Sequence, residues 1–537
     1  MYQEKQTGLY LPDGVRTVRR MRQEAAMRTM ISAINSGYSH HGASRRSPNM
    51  QEWNPYSGSA KEDIEDNLDT LRQRSRDAYM GIPVAAAMLK TLRTNVIAGG
   101  LMPSPQIDGD FLRLSNEQVE DLQAQILREF SLWADTTACD ADRVDDFYSL
   151  QQLAYLGYLM NGDSFALLQI KPRPGCPYDL RVRMVEADRV CSPGYHDRMT
   201  PCVVQGRTVE SIVQGVETDA EGEVKAYWVA DKHPRAFTNM TLQNWKRVEV
   251  YGQKSGMRNA LHVMQRERAG QRRGVPILAP VLESLKQMER YADAETTAAL
   301  LGAIFTVFVK KGSIDDSAPF GQYLKEEMIR RMQRGEGRDP NDLLLGSGII
   351  MDLEMGETVD TVETQHPHSG YDTFMMARLK EMSAGVEIPV EVLLKHFTTT
   401  FSSARGALNE FWRTCGMHRD WFAEDFCQPI YEMWFAEAVA RGRINAPGFF
   451  IDPAVRKAYT DCKWNGPART AMNPSQEVEA AVKRVEAGFS TAQEETAQIT
   501  GGDYNRNIKQ RLVEAKRKRR VDDISNPPAQ QPTGQPE

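Results

Sequence analysis

The spacing of apolar residues changes character more than once along this 537-residue chain, and those changes constrain the fold more than any single motif does. Through "IEDNLDTLRQRSRDAYMGIPVAAAMLKTLRTNVIAGGLMP" the period is helical, and Gly99-Gly100 with Pro103 beyond ends it. Further helices are expected from Asn116 to Ala134 and from Phe147 to the break at "NGD", Asn161 to Asp163. Strand alternation takes over in "SFALLQIKP", "LRVRMVEADRV", "VKAYWVA" and "RVEVYG". Helical character returns from Pro276 to Leu300, a run of good helix formers that leads into an apolar segment ending at Val309. Residues 311–368 read as a separate unit with a charged helix and a small β element. Beyond them Tyr371, Phe374, Met375, Leu379 and Met382 form a helical stripe that stops at Gly385. The order implies an α+β, helix-rich subunit. The two helices that flank the separate unit lack a core of their own and are expected to need neighbours.

The next stretch, "KHFTTTFSSARGALNEFWRTC" (Lys395 to Cys415), follows a run of hydroxyl residues with an amphipathic helix. Ser402 or Ser403 is the expected N-cap, and Ala404, Leu408, Phe411 and Cys415 share one face. "LLKHFTTTF" is then a loop, because consecutive β-branched threonines disfavour a continuous helix. A train of capped helices closes the chain. "PSQEVEAAVKRVEAG" is bracketed by Asn473 and Gly488, with Val478, Val482 and Val485 on one face; "STAQEETAQITGG" and "DYNRNIKQRLVEAKRKRR" follow. The first sixty residues read as a flexible basic arm, and the Pro/Gln-rich end as a disordered tail.

Composition and motifs exclude more than they assign. Charged residues at 26% and hydrophobic ones at 41% are ordinary for a globular chain, and a net charge of -6 argues against a protein that coats DNA with its whole surface. Seven scattered cysteines without a C-x-x-C pair imply free thiols in a reducing compartment, not zinc or a disulfide framework. No signal-peptide stretch is present at the N-terminus, and the longest apolar run, Ala298 to Val309, is far shorter than the roughly 20 residues a membrane helix needs. There is no G-x-x-x-x-G-K-[ST] phosphate loop, no G-x-S-x-G elbow and no H-E-x-x-H pair, so neither catalysis nor a cofactor is expected. His366 and His368 around Pro367 read as loop, not as a metal clip. Two basic stretches stay open. "HVMQRERAGQRRG" reads as a solvated connector or as a contact with another subunit or a phosphate, and "AKRKRR" as a nucleic-acid patch or as the cationic end of a helix dipole.

Five segments, in order, resemble the portal proteins of lambda-like tailed phages. They are "LRQRSRDAYMGIPVAAAMLKTLRTNVIAGG", "HVMQRERAGQRRGVPILAPVLESLKQMERYADAETTAAL", "LLLGSGIIMDLEMGETVDTV", "GVEIPVEVLLKHFTTTFSSARGALNEFWR" and "CKWNGPARTAMNPSQEVEAAVKRVEAGFSTAQEETAQITGGDY". The resemblance covers about residues 60–510. It implies a dodecameric ring at one capsid vertex, through which double-stranded DNA enters and leaves. The implied partners are further copies of the chain, the terminase large subunit, a head-tail adaptor, the major capsid protein and its scaffold. The implied location is the virion, after assembly in the host cytoplasm. A packaging enzyme such as the terminase large subunit is the rival reading, disfavoured by the missing phosphate loop, and another minor capsid or adaptor protein is a third.

Carried onto this chain, the resemblance makes 1–60 an arm, 61–275 the wing, 276–300 and 369–386 the stem helices and 301–368 the clip. Residues 387–402 become the tunnel loop, 403–464 the long helix and wing return, 465–520 the crown and 521–537 a tail. Lys395, His396, Thr398, Thr399 and Thr400 would then face DNA, and Ser402, Ser403 and Arg405 would open the following helix. Glu283, Lys286, Glu289, Arg290 and Asp293 would line the channel, their net negative charge repelling DNA softly so that no sequence is gripped.

Overall fold

The computed structural model describes residues 52–195, 197–236, 243–304, 308–311, 357–360, 370–397, 400–469 and 473–525, with short pieces at 22–23, 25–27, 43–44, 47–50, 326 and 329–330. The expected tail beyond 525, most of the arm and most of the clip lie outside the described residues. The chain divides into two units, Met1–Asp63 and Ile64–Glu537. In the first, the turn Ala60–Asp63 is closed by Glu62, which accepts from the Ser59 backbone N–H at 2.6 Å.

The second unit opens with α1 (Leu68–Gly81) and α2 (Pro83–Val96), parted at Ile82 because Pro83 takes the first position of a new helix. Strand β1 (Met102–Pro105) leads to α3 (Asn116–Ala134), where Ser115 and Gln118 form a reciprocal capping box. Asp146 caps α4 (Phe147–Asn161), which ends at Gly162 in the left-handed conformation. Then come β2 (Asp163–Ile170), β3 (Leu180–Val185), β4 (Cys202–Val204), β5 (Arg207–Val209), β6 (Ser211–Val213), β7 (Val216–Thr218), β8 (Val224–Ala230), β9 (Trp245–Glu249) and β10 (Ala260–Met264). They make an antiparallel three-stranded sheet in the order β10-β2-β3, a four-stranded sheet β6-β7-β8-β9 and the small pair β4-β5.

Helix α5 (Leu282–Ile304) follows a 3-10 turn at Ala279–Val281, so it begins six residues after the expected Pro276. The prolines at 276 and 280 account for that irregular entry. Strands β11 (Phe308–Lys311) and β12 (Glu357–Asp360) pair antiparallel, and α6 (Tyr371–Gly385) returns. After α7 (Val390–Leu394), helix α8 (Phe401–Phe422) passes through a π-turn at Ala423–Cys427 into α9 (Gln428–Ala440). Pro429 explains that π-turn, since it offers no N–H and its ring crowds the carbonyl one turn back. Helix α10 (Pro453–Thr460) and β13 (Cys462–Asn465) bring the chain back to pair with β1. The C-terminal helices are α11 (Pro474–Glu486), α12 (Ala492–Thr500) and α13 (Tyr504–Ser525). The last runs five residues into the expected tail, since no Gly or Pro intervenes before Pro527.

The main core lies where α3, α4, α8 and α9 meet the three-stranded sheet. Phe130 sits 4.9 Å from Trp434 and 5.7 Å from Phe147, both edge-on, and Trp133 donates its indole N–H to the Leu180 carbonyl at 2.9 Å. A second, smaller core formed by Phe165, Val216, Tyr227 and Val229 joins the two sheets.

Candidate functional site

Helices α5 and α6 form an antiparallel hairpin. Gly385 lies against Val281, where a Cβ would meet the valine Cγ1 at 3.0 Å. Arg378 donates to the Gln287 side-chain carbonyl at 2.7 Å, and farther out Tyr291 stacks on Tyr371 at 5.6 Å and meets Phe374 edge-on at 4.9 Å. At the root, Val281, Leu285, Met288, Leu379 and Met382 are buried in the main core. The expected want of a core therefore holds only for the outer part of the pair, which is covered by its own aromatic contacts. Glu283, Lys286, Arg290 and Asp293 are exposed, and half-buried Glu289 accepts from Lys286 at 2.6 Å. Glu283 accepts from Gln287 at 3.1 Å.

The connection from α6 to α8 is not all loop. Pro389 opens α7, whose Leu393 is buried, and the helix stops because Lys395 adopts a left-handed backbone at φ 54°. The His396 N–H then reaches back to the Glu391 carbonyl at 3.1 Å. A five-residue helix thus lies inside the stretch 387–402, and Leu393 and Leu394, read as the start of the loop, are its last two residues. Lys395, His396 and Thr400 are exposed, as are Phe397 at 52% and Phe401 at 56%, while Thr398 and Thr399 lie outside the described residues. Helix α8 starts at Phe401 with Thr400 in the N-cap position, so neither Ser402 nor Ser403 caps it. Both serines and Arg405 are exposed on the first turns, because an extended Thr400 (ψ 152°) already ends the non-helical path. The stripe itself stands: Ala404, Phe411 and Cys415 are buried and Leu408 half-buried.

The polar centre of the unit is one that motif reading missed. Asp163, fully buried, accepts from Arg273 Nε at 2.5 Å and Nη2 at 3.2 Å, from Arg72 Nη2 at 2.8 Å and from His262 Nε2 at 3.2 Å. Arg273, equally buried, also donates to the carbonyls of Val190 at 2.8 Å, Gln214 at 2.6 Å and Ala187 at 2.9 Å, and lies over the Phe165 ring. Burial by itself would raise the Asp163 carboxyl, but the guanidinium groups of Arg273 and Arg72 and the His262 bond overcome it and hold the group well below the carboxylate range. Burial pushes the His262 ring down, with Asp163 opposing and the two arginines assisting. A neutral His262 facing a carboxylate carries its proton on Nε2.

Backbone geometry locks the same place. A Cβ on Gly274 would stand 1.9 Å from the Gly162 carbonyl oxygen, and Gly162 itself has φ 89°. Glu65 accepts from the Arg272 N–H at 2.7 Å. "RRGVP" is therefore a tether between the sheet and the entry to α5, and Arg273 is not available to a phosphate or another subunit. The sequence signal for it was a lone aspartate opening the apolar run "GDSFALLQI". Among the described residues Glu186, Asp188 and His233 are spaced to share a cation, but Arg76 already pairs with Asp188.

Val478 and Val482 of α11 are each half exposed, Val485 is half-buried and Ala481 is its buried residue, so only part of the valine stripe faces outward.

Comparison with known proteins identifies the family. Residues 46–419 match the model of "Phage portal protein, lambda family". Portal protein B of Escherichia phage lambda is 22% identical over 499 residues, 90% of each chain, and the portal protein of Escherichia phage N15 is 23% identical over 508 residues, 92% of each. A chain from the neck of a native GTA particle computed with C12 symmetry covers 80% of this chain and 92% of its own, at 14% identity and a TM-score of 0.41. With the family match extending over most of its length, the chain belongs to the lambda family of phage portal proteins.

Proposed function

We propose that the chain is the subunit of a closed ring of twelve copies at one vertex of a phage capsid, the head-tail connector through which double-stranded DNA is packaged and later ejected. The observation that carries this reading beyond family membership is the α5–α6 hairpin. It is rooted in the main core by Leu285, Met288, Leu379 and Met382, and among the described residues its outer length is held by the contacts of Tyr291 with Tyr371 and Phe374. Such a hairpin gains cover from neighbouring copies of itself.

In the ring, Glu283, Glu289 and Asp293 set the charge of the wall, and Lys395, His396 and the threonines that follow stand at the narrowing. Neither surface holds a phosphate firmly, as transit of any sequence requires. Residues 301–368, as the clip, meet the terminase large subunit during packaging and the head-tail adaptor afterwards, and the capsid protein and scaffold surround the ring. The protein works in the virion, without catalysis of its own.

Negative-stain electron microscopy of the purified protein, with particle mass measured on the same sample, tests the reading. Rings with a central hole and a mass near twelve subunits support it. Solid particles or filaments that persist in the presence of capsid protein and scaffold would sink it.

A further inference from the structure

Helix α13 is the least covered long element of the described chain. Between Tyr504 and Arg520 only Tyr504 and Ile508 are half-buried, and every other side chain is exposed. The same stretch carries eight cationic residues, Arg506, Lys509, Arg511 and Lys516 through Arg520, against the single carboxylate of Glu514, in a chain whose net charge is -6. Among the described residues none of the eight cationic side chains has an ion-pair partner, while Glu514 is taken by Gln510 at 3.0 Å.

The helix-dipole explanation of this basic run fails on the structure. Five residues, including Asp522 and Asp523, follow Arg520 within the helix, so the last turn has no cation in it. Solubility does not explain the pattern either. Lys516 faces Arg519 and Arg520, and Arg517 faces Arg520, at like-charge spacings that cost an isolated helix a few tenths of a kcal/mol each. By spacing Asp522 and Asp523 answer Lys518, Arg519 and Arg520 from within the helix, which leaves Arg506, Lys509, Lys516 and Arg517 to have their countercharge delivered from outside.

The geometry of the cations says what delivers it. At about 100° per residue, Arg506, Lys509, Lys516, Arg517 and Arg520 fall within an arc of about 100°, beside a separate apolar stripe of Tyr504, Ile508, Leu512 and Ala515. With about 1.5 Å of rise per residue the basic face is about 21 Å long. Along one strand duplex DNA carries one charge per about 3.4 Å, so a row of this length runs beside about six phosphates, enough for the five cations of the face. A protein partner would call for an apolar centre on this face, and only Val513 interrupts the cations. No aromatic residue interleaves with them, as a single-strand stacking platform would require.

The base of the helix is held. Thr491 caps α12, Glu495 pairs with Arg484 at 2.6 Å, Gln493 donates to Ser104 at 3.1 Å, and Gly501 turns the chain into α13. We propose that the basic face of α13 binds the phosphate backbone of double-stranded DNA without sequence preference, as a holding surface separate from the acidic stem that lets DNA slide. The inference rests on the portal reading only for the identity of the polymer at hand.

The test uses the full-length protein in its assembled state and a fluorescent random-sequence duplex, with affinity measured over a salt series. The variant R506Q/K509Q/K516Q/R517Q/R520Q is compared with wild type, with the charge-keeping variant R506K/R517K/R520K and with poly-L-glutamate as competitor. For the neutralised variant the expected result is an affinity loss of at least about tenfold at low salt. Its plot of log affinity against log salt is flatter by up to about 4.5, since each of the five lost phosphate contacts removes about 0.9 from the slope. The lysine variant keeps wild-type binding, and poly-L-glutamate competes poorly at equal charge. An unchanged slope in the neutralised variant overturns the proposal, and so does displacement of the duplex by poly-L-glutamate at equal charge, which assigns the face to an acidic protein. Imaging the same samples separates the two readings. Intact rings in a variant that has lost DNA show that the loss is not one of assembly, and DNA binding through α13 by a chain that forms no ring leaves this inference standing while the portal reading falls.

Discussion

The Arg273 guanidinium donates to Asp163 and to the carbonyls of Ala187, Val190 and Gln214, so its removal leaves three buried acceptors and one half-buried one short of a donor. Arg273→Met is expected to destabilise the second unit by about 3–5 kcal/mol, the cost of breaking a buried pair from one side. Urea-unfolding midpoints measure it, and Arg273→Lys should rescue little because an ammonium cannot reach four acceptors at once. A loss under about 1 kcal/mol would mean the tether is dispensable. The histidines give the pH dependence. Burial pushes both His262 and His418 below their ordinary value; the first faces Asp163, Arg273 and Arg72, and the second faces the Tyr155 hydroxyl at 3.1 Å. An unfolded histidine takes up its proton near pH 6.5, so below that value the unfolded chain binds more protons than the folded one and stability falls as pH falls. Asp163 acts in the same direction lower down: its depressed value gives stability that is complete above about pH 4 and is lost on further acidification. The melting midpoint should therefore drop as the pH is taken from neutral to about 5, and His262→Gln combined with His418→Gln should flatten that limb. A flat wild-type profile between those values would contradict neutral buried rings.

The hairpin of α5 and α6 depends on Tyr291, which meets both Tyr371 and Phe374 beyond the reach of the main core. Tyr291→Ala is expected to cost the hairpin about 1–2 kcal/mol, given about 0.5–1.5 kcal/mol for each aromatic pair. The loss should appear in hydrogen exchange as faster amides at the start of α6, with α3 and α4 unchanged. Equal acceleration everywhere would instead make Tyr291 part of the global core. Elements whose ends are set by neighbours in sequence were readable in advance. Asn116–Ala134 and the start at Phe147 match the structure because Ser115, Gln118 and Asp146 act within one turn. Elements decided by distant contacts were not. Strands β4 to β7 are three residues each, too short to display an alternation, and α7 depends on Leu393 finding the core. At the start of α8, Thr400, Ser402 and Ser403 are chemically equivalent caps, so only the backbone could choose among them. The Asp163 cluster joins residues 91 and 110 positions apart, a separation at which no local period carries a signal.

Across the whole molecule, charge is sorted by task. The exposed side of α5 carries Glu283, Glu289 and Asp293 against Lys286 and Arg290, whereas α13 is basic along most of its length. If the ring passes DNA as proposed, a wall of mild like charge keeps the duplex away from the protein, because every phosphate held by a cation adds affinity and hence drag. Reversing that wall makes the argument quantitative. The variant E283K/E289K/D293K leaves the buried root of the hairpin untouched, so rings should still form. Packaging in a reconstituted system should slow several-fold at low salt and recover as salt rises, because screening over about 8–10 Å removes the added attraction. Neutralising α13 should do the opposite, leaving the packaging rate unaltered while filled heads lose DNA more readily. Were the reversed stem to package at the wild-type rate at low salt, the acidic residues would not be lining the path of the DNA, and the hairpin would have to face another part of the assembly.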